Sequence, residues 1–387
     1  MKTNLENLST IMIFAILFCC GLSCSDSSTN TSSPQPVTPV VSSLKAANPN
    51  VLIGAHARGF DQNSSIANIT KKEFSASQGL WYAGFGGWPS KGVYNFTDFN
   101  NQINFLKDNK IGTHIHMLVG PNLYMPNWLK NQTWTAEALD EQLKDMIDKI
   151  MESNDNKNKV DVWNVANEVV DDNGIYRTDM VWNQMGWEND KSGLTGSDVM
   201  NEKHPIFIRK AFEYCRLKTK SKLEYRDYNI ETSNPVLSGN KKQRAVYQLL
   251  KHMIANKTPI DAIGIQGHYD IGNFSRLITN NDLQTSIQKY KALGLEVYLT
   301  EVDFGTGKNA DGTTKTWTAA LAEQQKVNYN NLIKISVKSG VSRIYTWGVI
   351  DAFDKGWRVD EYPLMWDKDS KKKSAYDGVK QGLIESK

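Results

Sequence analysis

The sequence predicts a closed (β/α)8 barrel, and three observations favour this fold class. Eight strand-like runs follow one another along the chain, and helix-like segments fall between them. This alternation is typical of parallel β/α units, and eight such units favour closure into a barrel over an open sheet. The chain of 387 residues is long enough for one barrel, and neither an internal repeat nor a late low-complexity break divides it.

The eight predicted strands are short apolar runs that are rich in β-branched and aromatic residues. We place them at residues 51–57, 79–85, 111–119, 160–168, 223–229, 262–269, 297–303 and 343–351. Helices are predicted at residues 98–108, 135–153, 203–217, 241–255, 281–293 and 317–338. The clearest is 135–153, where apolar residues from Leu139 to Met151 recur every three or four positions.

The chain begins with the features of a secretion signal. Lys2 supplies positive charge, and residues 11–22 form an apolar run that is too short to span a bilayer. The Gly-Leu-Ser-Cys sequence that ends at Cys24 resembles the lipobox of bacterial lipoproteins, although Gly21 stands where leucine is usual. We therefore expect a signal peptide at 1–24 and a lipid anchor on Cys24, with simple secretion as the alternative.

The segment after the signal is predicted to be a flexible linker. Residues 25–47 are rich in Ser, Thr and Pro and show no helical or strand period. The barrel then spans residues 48–387. This organisation predicts a secreted protein, or a lipoprotein of the outer membrane or surface of a bacterium.

Composition and motifs exclude several function classes. The 45 Lys and Arg against 42 Asp and Glu give a net charge of +3, so we expect neither nucleic acid nor an anionic membrane surface as a partner. Three of the four cysteines lie in the signal segment and Cys215 stands alone, so no disulfide framework is expected. His114 and His116 share a strand face, but no third ligand follows at a metal-binding spacing. We expect a monomer with no metal and no cofactor.

Two predicted strands run apolar and then reach a glutamate. Strand 160–168 ends in Asn167 and Glu168, and Glu301 lies near the end of strand 297–303. A carboxylate at the C-terminal end of a barrel strand lies where barrel enzymes do their chemistry. Two carboxylates from different strands suit glycosidic bond cleavage, which needs an acid and a nucleophile or base. Taken singly, each is more often a surface glutamate that begins a loop.

Other polar and aromatic residues recur near predicted strand ends. Asn167 precedes the first glutamate, where its amide could hold a sugar hydroxyl. Gln266 and His268 lie two residues apart and can face the same mouth, although a lone histidine is more often a core residue. Trp347 and Trp357 flank the end of the eighth strand, and flat indole rings suit the faces of pyranose sugars.

The ordered motifs resemble glycoside hydrolase family 10, the endo-β-1,4-xylanases, over most of residues 50–385. The similar segments are DVWNVANEVVDDNGIYR, FIRKAFEY with LEYRDYN, GIQGHY, LEVYLTEVDF, TWGVIDAFDKGW and PLMWDKDSKKKSAYDGV. The resemblance implies that Glu168 is the general acid/base and Glu301 the nucleophile of a retaining double displacement on a polysaccharide substrate, xylan. It also implies that no cofactor is needed, and it implies sugar contacts from Asn167, Gln266 and His268.

Two strand ends depart from the family pattern. The family has Glu-Asn-x-Met-Lys-Trp after its second strand, whereas this chain reads GLWYAGFGGW, so the residues that grip the sugar on the non-reducing side are absent. In HMLVGPNLYMPNW, His116 is kept as a candidate sugar contact, but Gly120 and Pro121 replace the usual Trp and second His. The spacing between the two glutamates is also longer than usual, and the surplus falls at residues 187–204.

These departures leave the substrate open. The leading prediction is an endo-acting hydrolase of the β-1,4-xylosidic bonds of xylan. One alternative is a hydrolase of another β-1,4-linked glycan or of a decorated xylo-oligosaccharide. Another is a weakly active barrel that serves as a surface glycan-binding protein; the retention of both glutamates with Gln266 and His268 argues against it.

Overall fold

The structure is a computed structural model, which describes residues 41–56, 64–81, 83–232, 239–279, 281–351 and 357–387. Residues 41–387 form one compact unit. The predicted signal peptide, the predicted anchor at Cys24 and most of the predicted linker lie outside the described residues. Within the described residues, no helix combines the length and the apolar character needed to cross a membrane.

Eight parallel strands close into a barrel, so the predicted (β/α)8 fold is confirmed. In chain order the barrel strands are β1 (Leu52–His56), β2 (Ala76–Leu80), β3 (Gly112–His116), β4 (Val162–Asn167), β5 (Lys222–Asp227), β6 (Ala262–Ile265), β7 (Glu296–Gly305) and β8 (Arg343–Thr346). Neighbouring strands pair in this order, and β8 pairs with both β7 and β1 to close the barrel. The C-terminal ends of all eight strands therefore open on one mouth.

Helices connect the strands and pack outside the barrel. Their bounds are Leu44–Ala47, Ser65–Glu73, Thr97–Asp108, Asn127–Lys130, Ala136–Glu152, Asn156–Lys159, Ile206–Lys218, Gly239–Ala255, Phe274–Thr279, Asp282–Lys291, Ala319–Lys338 and Ser374–Glu385. The helix predicted at 135–153 is confirmed as Ala136–Glu152. The Thr135 hydroxyl caps it by accepting the N–H of Ala138 at 3.2 Å, and the predicted apolar residues form its buried face.

The second strand lies earlier than predicted. We placed it at 79–85, on the apolar run GLWYAGF, but β2 is Ala76–Leu80 and a π-helical turn follows at Ala83–Gly87. The strand contains two polar residues, Ser77 and Gln78, whose side chains are fully buried. Ser77 donates to the carbonyl of Ala55 on β1, and Gln78 accepts from Arg226. Hydrogen-bonded polar side chains are tolerated in a core, so hydrophobicity alone misplaced this strand.

The strand that carries Glu301 is longer than predicted. We placed it at 297–303 with Glu301 near its end, but β7 continues to Gly305. Its pairing with β8 shifts register beside Glu301, and its last three residues pair with the short strand His268–Asp270. A register shift of this kind re-aims a side chain. Glu301 therefore lies within a paired strand rather than at a free end.

The folded unit begins earlier than predicted. Leu44–Ala47, which we assigned to the linker, form a short helix with Leu44 and Ala47 buried. The Ser43 hydroxyl caps this helix, and the backbone N–H of Leu44 donates to the Glu73 carboxylate at 3.1 Å. These contacts tie the segment to the barrel, so the predicted linker boundary at residue 47 is too late.

The predicted surplus segment at residues 187–204 contains an antiparallel hairpin. Its strands are Trp187–Asn189 and Lys203–Pro205. Because residues 203–205 pair with the other strand, the helix that we predicted from residue 203 begins at Ile206 instead.

Candidate active site

The two predicted carboxylates face one cavity at the barrel mouth. Glu168 follows the last residue of β4, and Glu301 comes from β7. The cavity has a volume of about 370 Å³, and it is lined by six of the predicted site residues, namely Glu168, Gln266, His268, Glu301, Trp347 and Trp357. Strands β4 and β7 thus deliver both glutamates to a common space, as the chemistry of glycosidic cleavage requires.

The backbone at Glu168 is left-handed, with φ of 52°. Its N–H donates to the carbonyl of Arg226 on β5 at 3.0 Å, which fixes the turn where β4 ends. Few residues other than glycine adopt this conformation, and it carries a cost of about 1 kcal/mol or more. The turn points the half-buried Glu168 side chain into the cavity instead of along the strand.

Glu168 has an environment that favours its protonated form. Burial raises the pKa of its carboxyl group, and the negative charge of Glu301 raises it further. Gln266 opposes this rise, because its Nε2 donates a hydrogen bond to Oε1 of Glu168 at 2.7 Å. A carboxyl group with a raised pKa beside a second carboxylate is suited to act as a general acid.

The surroundings of Glu301 differ from those of Glu168, since a cationic group contacts each oxygen of Glu301. Arg226 Nη1 donates to Oε1 at 3.0 Å, and His268 Nε2 lies 3.1 Å from Oε2. Burial disfavours the charged form of His268, but Asp303, whose Oδ2 lies 2.9 Å from Nδ1, and Glu301 outweigh it and raise the pKa of His268 to about 9. Below that pH the imidazolium donates to both carboxylates and keeps the Glu301 side chain in one orientation.

Arg226 is a site residue that the sequence prediction missed. Its guanidinium group is fully buried inside the barrel, where Nε donates to Oε1 of Glu224 at 2.9 Å. A sequence signal exists: Glu224 and Arg226 lie two apart in a strand, so they share a face, and opposite charges on one face of a parallel strand indicate a buried ion pair.

Two predicted sugar contacts lie below the cavity lining. Asn167 is 1% exposed, and its Oδ1 lies 3.4 Å from Nε2 of Gln266. His116 is 3% exposed and packs edge-on against Trp347 with ring centroids 5.4 Å apart. Burial, together with the charge of Arg226, holds the pKa of His116 well below its usual range, so it is neutral at pH 7. Direct sugar contact by Asn167 and His116 stays a prediction.

Aromatic rings form much of the cavity wall. Trp357 is 39% exposed, and its Nε1 donates to Oδ2 of Asp303 at 2.8 Å, which orients the indole. The half-buried Trp347 packs against the imidazole of His56 with centroids 4.2 Å apart. Three further lining residues were not among the predicted site residues: Tyr124, Tyr228 and Asn229. Tyr228 and Asn229 follow β5 directly, so their position after a strand end was the available signal.

A second cluster of histidine and carboxylate side chains lies outside the cavity. Among the described residues, Asp190, His204 and His252 bring ligand atoms together between the hairpin and helix Gly239–Ala255. His204 contacts Asp190 at 2.8 Å and Tyr176, while His252 accepts the N–H of Lys191 at 3.1 Å and lies 3.1 Å from Glu188. Each imidazole nitrogen already has a protein partner, so hydrogen bonding accounts for the cluster.

The predicted His-x-His pair does not form a metal site either. His114 is fully buried and contacts both Glu224 and Arg226, the latter at 3.0 Å from Nη2. His116 Nδ1 lies 3.0 Å from Nη1 of Arg226. A guanidinium group in contact with both imidazoles would repel a metal cation at this position.

A family profile and individual related sequences point to the same protein family. Residues 86–382 match the sequence profile of glycosyl hydrolase family 10. Endo-1,4-beta-xylanase B of Thermotoga neapolitana is 28% identical over 307 residues, which cover 77% of this chain and 77% of that protein. Endo-1,4-beta-xylanase A of Caldicellulosiruptor saccharolyticus is 28% identical over 303 residues, which cover 74% of this chain and 80% of that protein.

Solved structures share the fold. Native xylanase 10B from Thermotoga maritima superposes with a TM-score of 0.72 at 24% identity, covering 88% of this chain and 98% of that chain. Native xylanase10C from Cellvibrio japonicus gives a TM-score of 0.75 at 24% identity, covering 90% of this chain and 70% of that chain. At this level of identity the likeness establishes the barrel architecture.

The barrel and its paired carboxylates are those of a glycoside hydrolase. The profile match covers most of the chain. The chain therefore belongs to glycosyl hydrolase family 10, and the predicted family and enzyme class are confirmed.

Proposed function

We propose that the protein is a retaining endo-β-1,4-xylanase in which Glu168 is the general acid/base and Glu301 is the nucleophile. The observation that carries this proposal is the contrast between the two carboxyl groups around one cavity. Burial and negative charge raise the pKa of Glu168, whereas Arg226 and His268 contact the two oxygens of Glu301. Pairs of carboxyl groups whose surroundings differ in this way divide the acid and nucleophile roles.

The first step forms a glycosyl-enzyme ester. An oxygen of the ionised Glu301 attacks the anomeric carbon as the bond to the leaving sugar oxygen breaks, and protonated Glu168 donates its proton to that oxygen. Gln266 holds the Glu168 carboxyl group during this transfer through its 2.7 Å hydrogen bond. Trp347 and Trp357 line the cavity, and we propose that they stack on the sugar. Asn167 lies beside Gln266 beneath the lining, and its contact with a hydroxyl is part of the same proposal.

The second step reverses these roles. Glu168, now ionised, removes a proton from water as the water oxygen attacks the anomeric carbon. The bond to Glu301 breaks, and its electron pair returns to the carboxylate, which Arg226 and His268 again stabilise. Two inversions at one carbon give net retention of the β configuration.

The substrate is proposed to be xylan, with a decorated xylo-oligosaccharide or another β-1,4-glycan as the second candidate. The π-helical turn at Ala83–Gly87 stands where the family has its Glu-Asn-x-Met-Lys-Trp segment. Gly120 and Pro121 are both buried after β3 and bring no polar side chain to the mouth. These departures favour a site that holds the non-reducing-side sugar less tightly than is usual in the family.

The test is to follow the hydrolysis of soluble xylan by proton NMR. The proposal predicts that the β anomer of the product appears first and then mutarotates, and that Glu301→Gln abolishes its formation. Release of the α anomer first would refute retention. A matched panel of xylan, branched xylo-oligosaccharides and β-1,4-glucan, compared by initial rate, identifies which candidate substrate is correct.

We also propose that the protein is exported and is held at the bacterial surface by a lipid on Cys24, as a monomer. The apolar run 11–22 and the lipobox-like end at Cys24 support this. Metabolic labelling with a palmitate analogue should label the full chain and fail to label Cys24→Ala. Equal labelling of both proteins would refute the anchor, and light scattering of the purified protein would test the monomer.

A further inference from the structure

The buried cation Arg226 connects the barrel interior directly to the Glu301 carboxylate. Besides its 3.0 Å bond to Oε1 of Glu301, Nη1 donates to Oε1 of Gln78 at 2.8 Å. On the other side, Nε and Nη2 donate to the two oxygens of Glu224 at 2.9 and 3.3 Å. Side chains on β2 and β5 therefore fix the guanidinium plane independently of its contact with Glu301.

Inside the barrel, Arg226 is shared between the carboxylates of Glu224 and Glu301. Burial lowers the pKa of His114 to about 4, and burial together with Arg226 lowers that of His116, so both imidazoles are neutral at pH 7. Both Glu224 and Arg226 are fully buried. A carboxylate–guanidinium pair with complete desolvation is a strong interaction to break, because either partner alone would be an unpaired buried charge.

We infer that Arg226 is a positioning residue for the nucleophile, an inference that rests on the proposed function. Arg226 fixes Oε1 of Glu301 while His268 holds Oε2, so the carboxylate keeps one orientation toward the cavity. The adjacent buried cation also attracts the negative charge of the attacking carboxylate at 3.0 Å. When the ester bond breaks in the second step, the same cation stabilises the departing carboxylate.

This role has a defined signature in the kinetics of catalysis. The charged groups around Glu301 are Glu168 after β4, Glu224 and Arg226 on β5, His268, Asp303 on β7, and His114 and His116 on β3. Arg226 is fully buried and does not line the cavity, so its removal should slow attack by the less firmly oriented carboxylate and leave sugar binding nearly unchanged. A residue that only stabilised the fold would leave the rate of attack unchanged in a folded variant.

Three variants test the inference. Arg226→Gln alone would strand the Glu224 charge in the core, so the main variant is the double replacement Glu224→Gln/Arg226→Gln, which keeps two hydrogen-bonding amides. Glu224→Gln is the matched control, because it leaves the cation next to Glu301. Arg226→Lys is the conservative rescue, because it keeps the charge. Circular dichroism checks that each variant folds.

The measurement is the rate at which an activated 2-deoxy-2-fluoro-β-xyloside traps the enzyme, as a function of the xyloside concentration. Trapping reports attack by Glu301 alone, and mass spectrometry of the peptide locates the label. The concentration dependence separates the rate constant of attack from the dissociation constant of the xyloside. We expect the double variant to lower the rate constant at least about tenfold, with the dissociation constant changed by less than about threefold. Glu224→Gln should keep the rate constant within about threefold, and Arg226→Lys should recover part of the loss.

An unchanged rate constant of attack in the folded double variant would overturn the inference. So would failure of all three variants to fold, which would assign Arg226 to the fold alone. Failure of the unmodified protein to be labelled at Glu301 would refute the proposed function instead, so the two failures are distinguishable.

Discussion

Gln266 donates a hydrogen bond from its side-chain amide to Oε1 of Glu168 at 2.7 Å. Gln266 directly follows β6, one residue past Ile265, and Glu168 directly follows β4, so the bond crosses the barrel mouth over β5. The amide cannot take up the proton, and its donor hydrogen favours the ionised carboxylate. Gln266 therefore moderates the rise in pKa that burial imposes on Glu168.

Replacement of Glu168 by Ala should separate substrates by their leaving groups. Hydrolysis of xylan, whose leaving sugar needs a proton, should fall about 10²–10⁴-fold. Aryl xylosides with acidic phenols need little protonation, so their first step should be affected much less. The check is kcat/KM on both substrates. Glu168→Gln serves as the near-isosteric control, and equal losses on both substrates would contradict the acid role.

Replacement of Gln266 by Ala should shift the basic limb of the pH profile. The unmodified bond lowers the pKa of Glu168, so its loss raises that pKa further. The acid then stays protonated to higher pH, and the alkaline limb of kcat for xylan should move upward. Gln266→Glu, which places a second negative charge at the same position, should move it further in the same direction. A downward shift in either variant would contradict this account.

His268 should make the stability of the protein depend on pH. Its pKa is raised from an ordinary value near 6.5 to about 9 in the folded chain, so its contribution is fully present below about pH 6.5 and is lost as the pH rises through about 9. The difference in free energy of unfolding between the unmodified protein and His268→Gln should therefore shrink by on the order of 3 kcal/mol from pH 6 to pH 10. Urea unfolding at both pH values measures it. A constant difference would show that folding leaves the pKa of His268 unshifted.

Gly264→Ala should disrupt the buried ion pair between Glu224 and Arg226 by a steric clash. A Cβ at this position would lie 1.9 Å from Oε1 of Glu224, closer than any side chain can tolerate. The Glu224 carboxylate must move, and Arg226 must move with it, so we expect a destabilisation of about 2 kcal/mol or more together with slower trapping at Glu301.

Gly272→Ala is the matched control, because its Cβ would meet no atom within 4 Å. It should change the free energy of unfolding by less than about 0.5 kcal/mol. Thermal unfolding and trapping rates of the two variants provide the comparison. Equal stability of Gly264→Ala and Gly272→Ala would contradict the packing described around Glu224.

The sequence predicted the barrel and its carboxylates because both follow from simple periodic patterns. Apolar runs alternate with amphipathic segments, and Glu168 interrupts such a run at its end, where a charge is tolerated. The second strand escaped prediction because Ser77 and Gln78 are polar and yet buried. Their hydrogen-bond partners come from other strands, and a linear pattern holds no information about those partners.

Arg226 escaped prediction for a related reason. A charged residue inside a strand is usually assigned to a surface, and only the pairing with Glu224 two residues away indicates burial. That pairing could have been recognised, but contact with Glu301 depends on the register between β5, β6 and β7. The register shift beside Glu301 likewise arises from the fit between whole strands.

At residue 168, thermal stability and catalytic activity favour different side chains, because the backbone there is left-handed. Glycine or asparagine would adopt that φ with less strain. Either replacement should therefore raise the free energy of unfolding, but it would remove the proposed general acid. A laboratory selection for survival at high temperature, run without a screen for sugar release, should therefore be drawn to residue 168. The most thermostable variants from such a selection would fold well but would no longer hydrolyse the substrate.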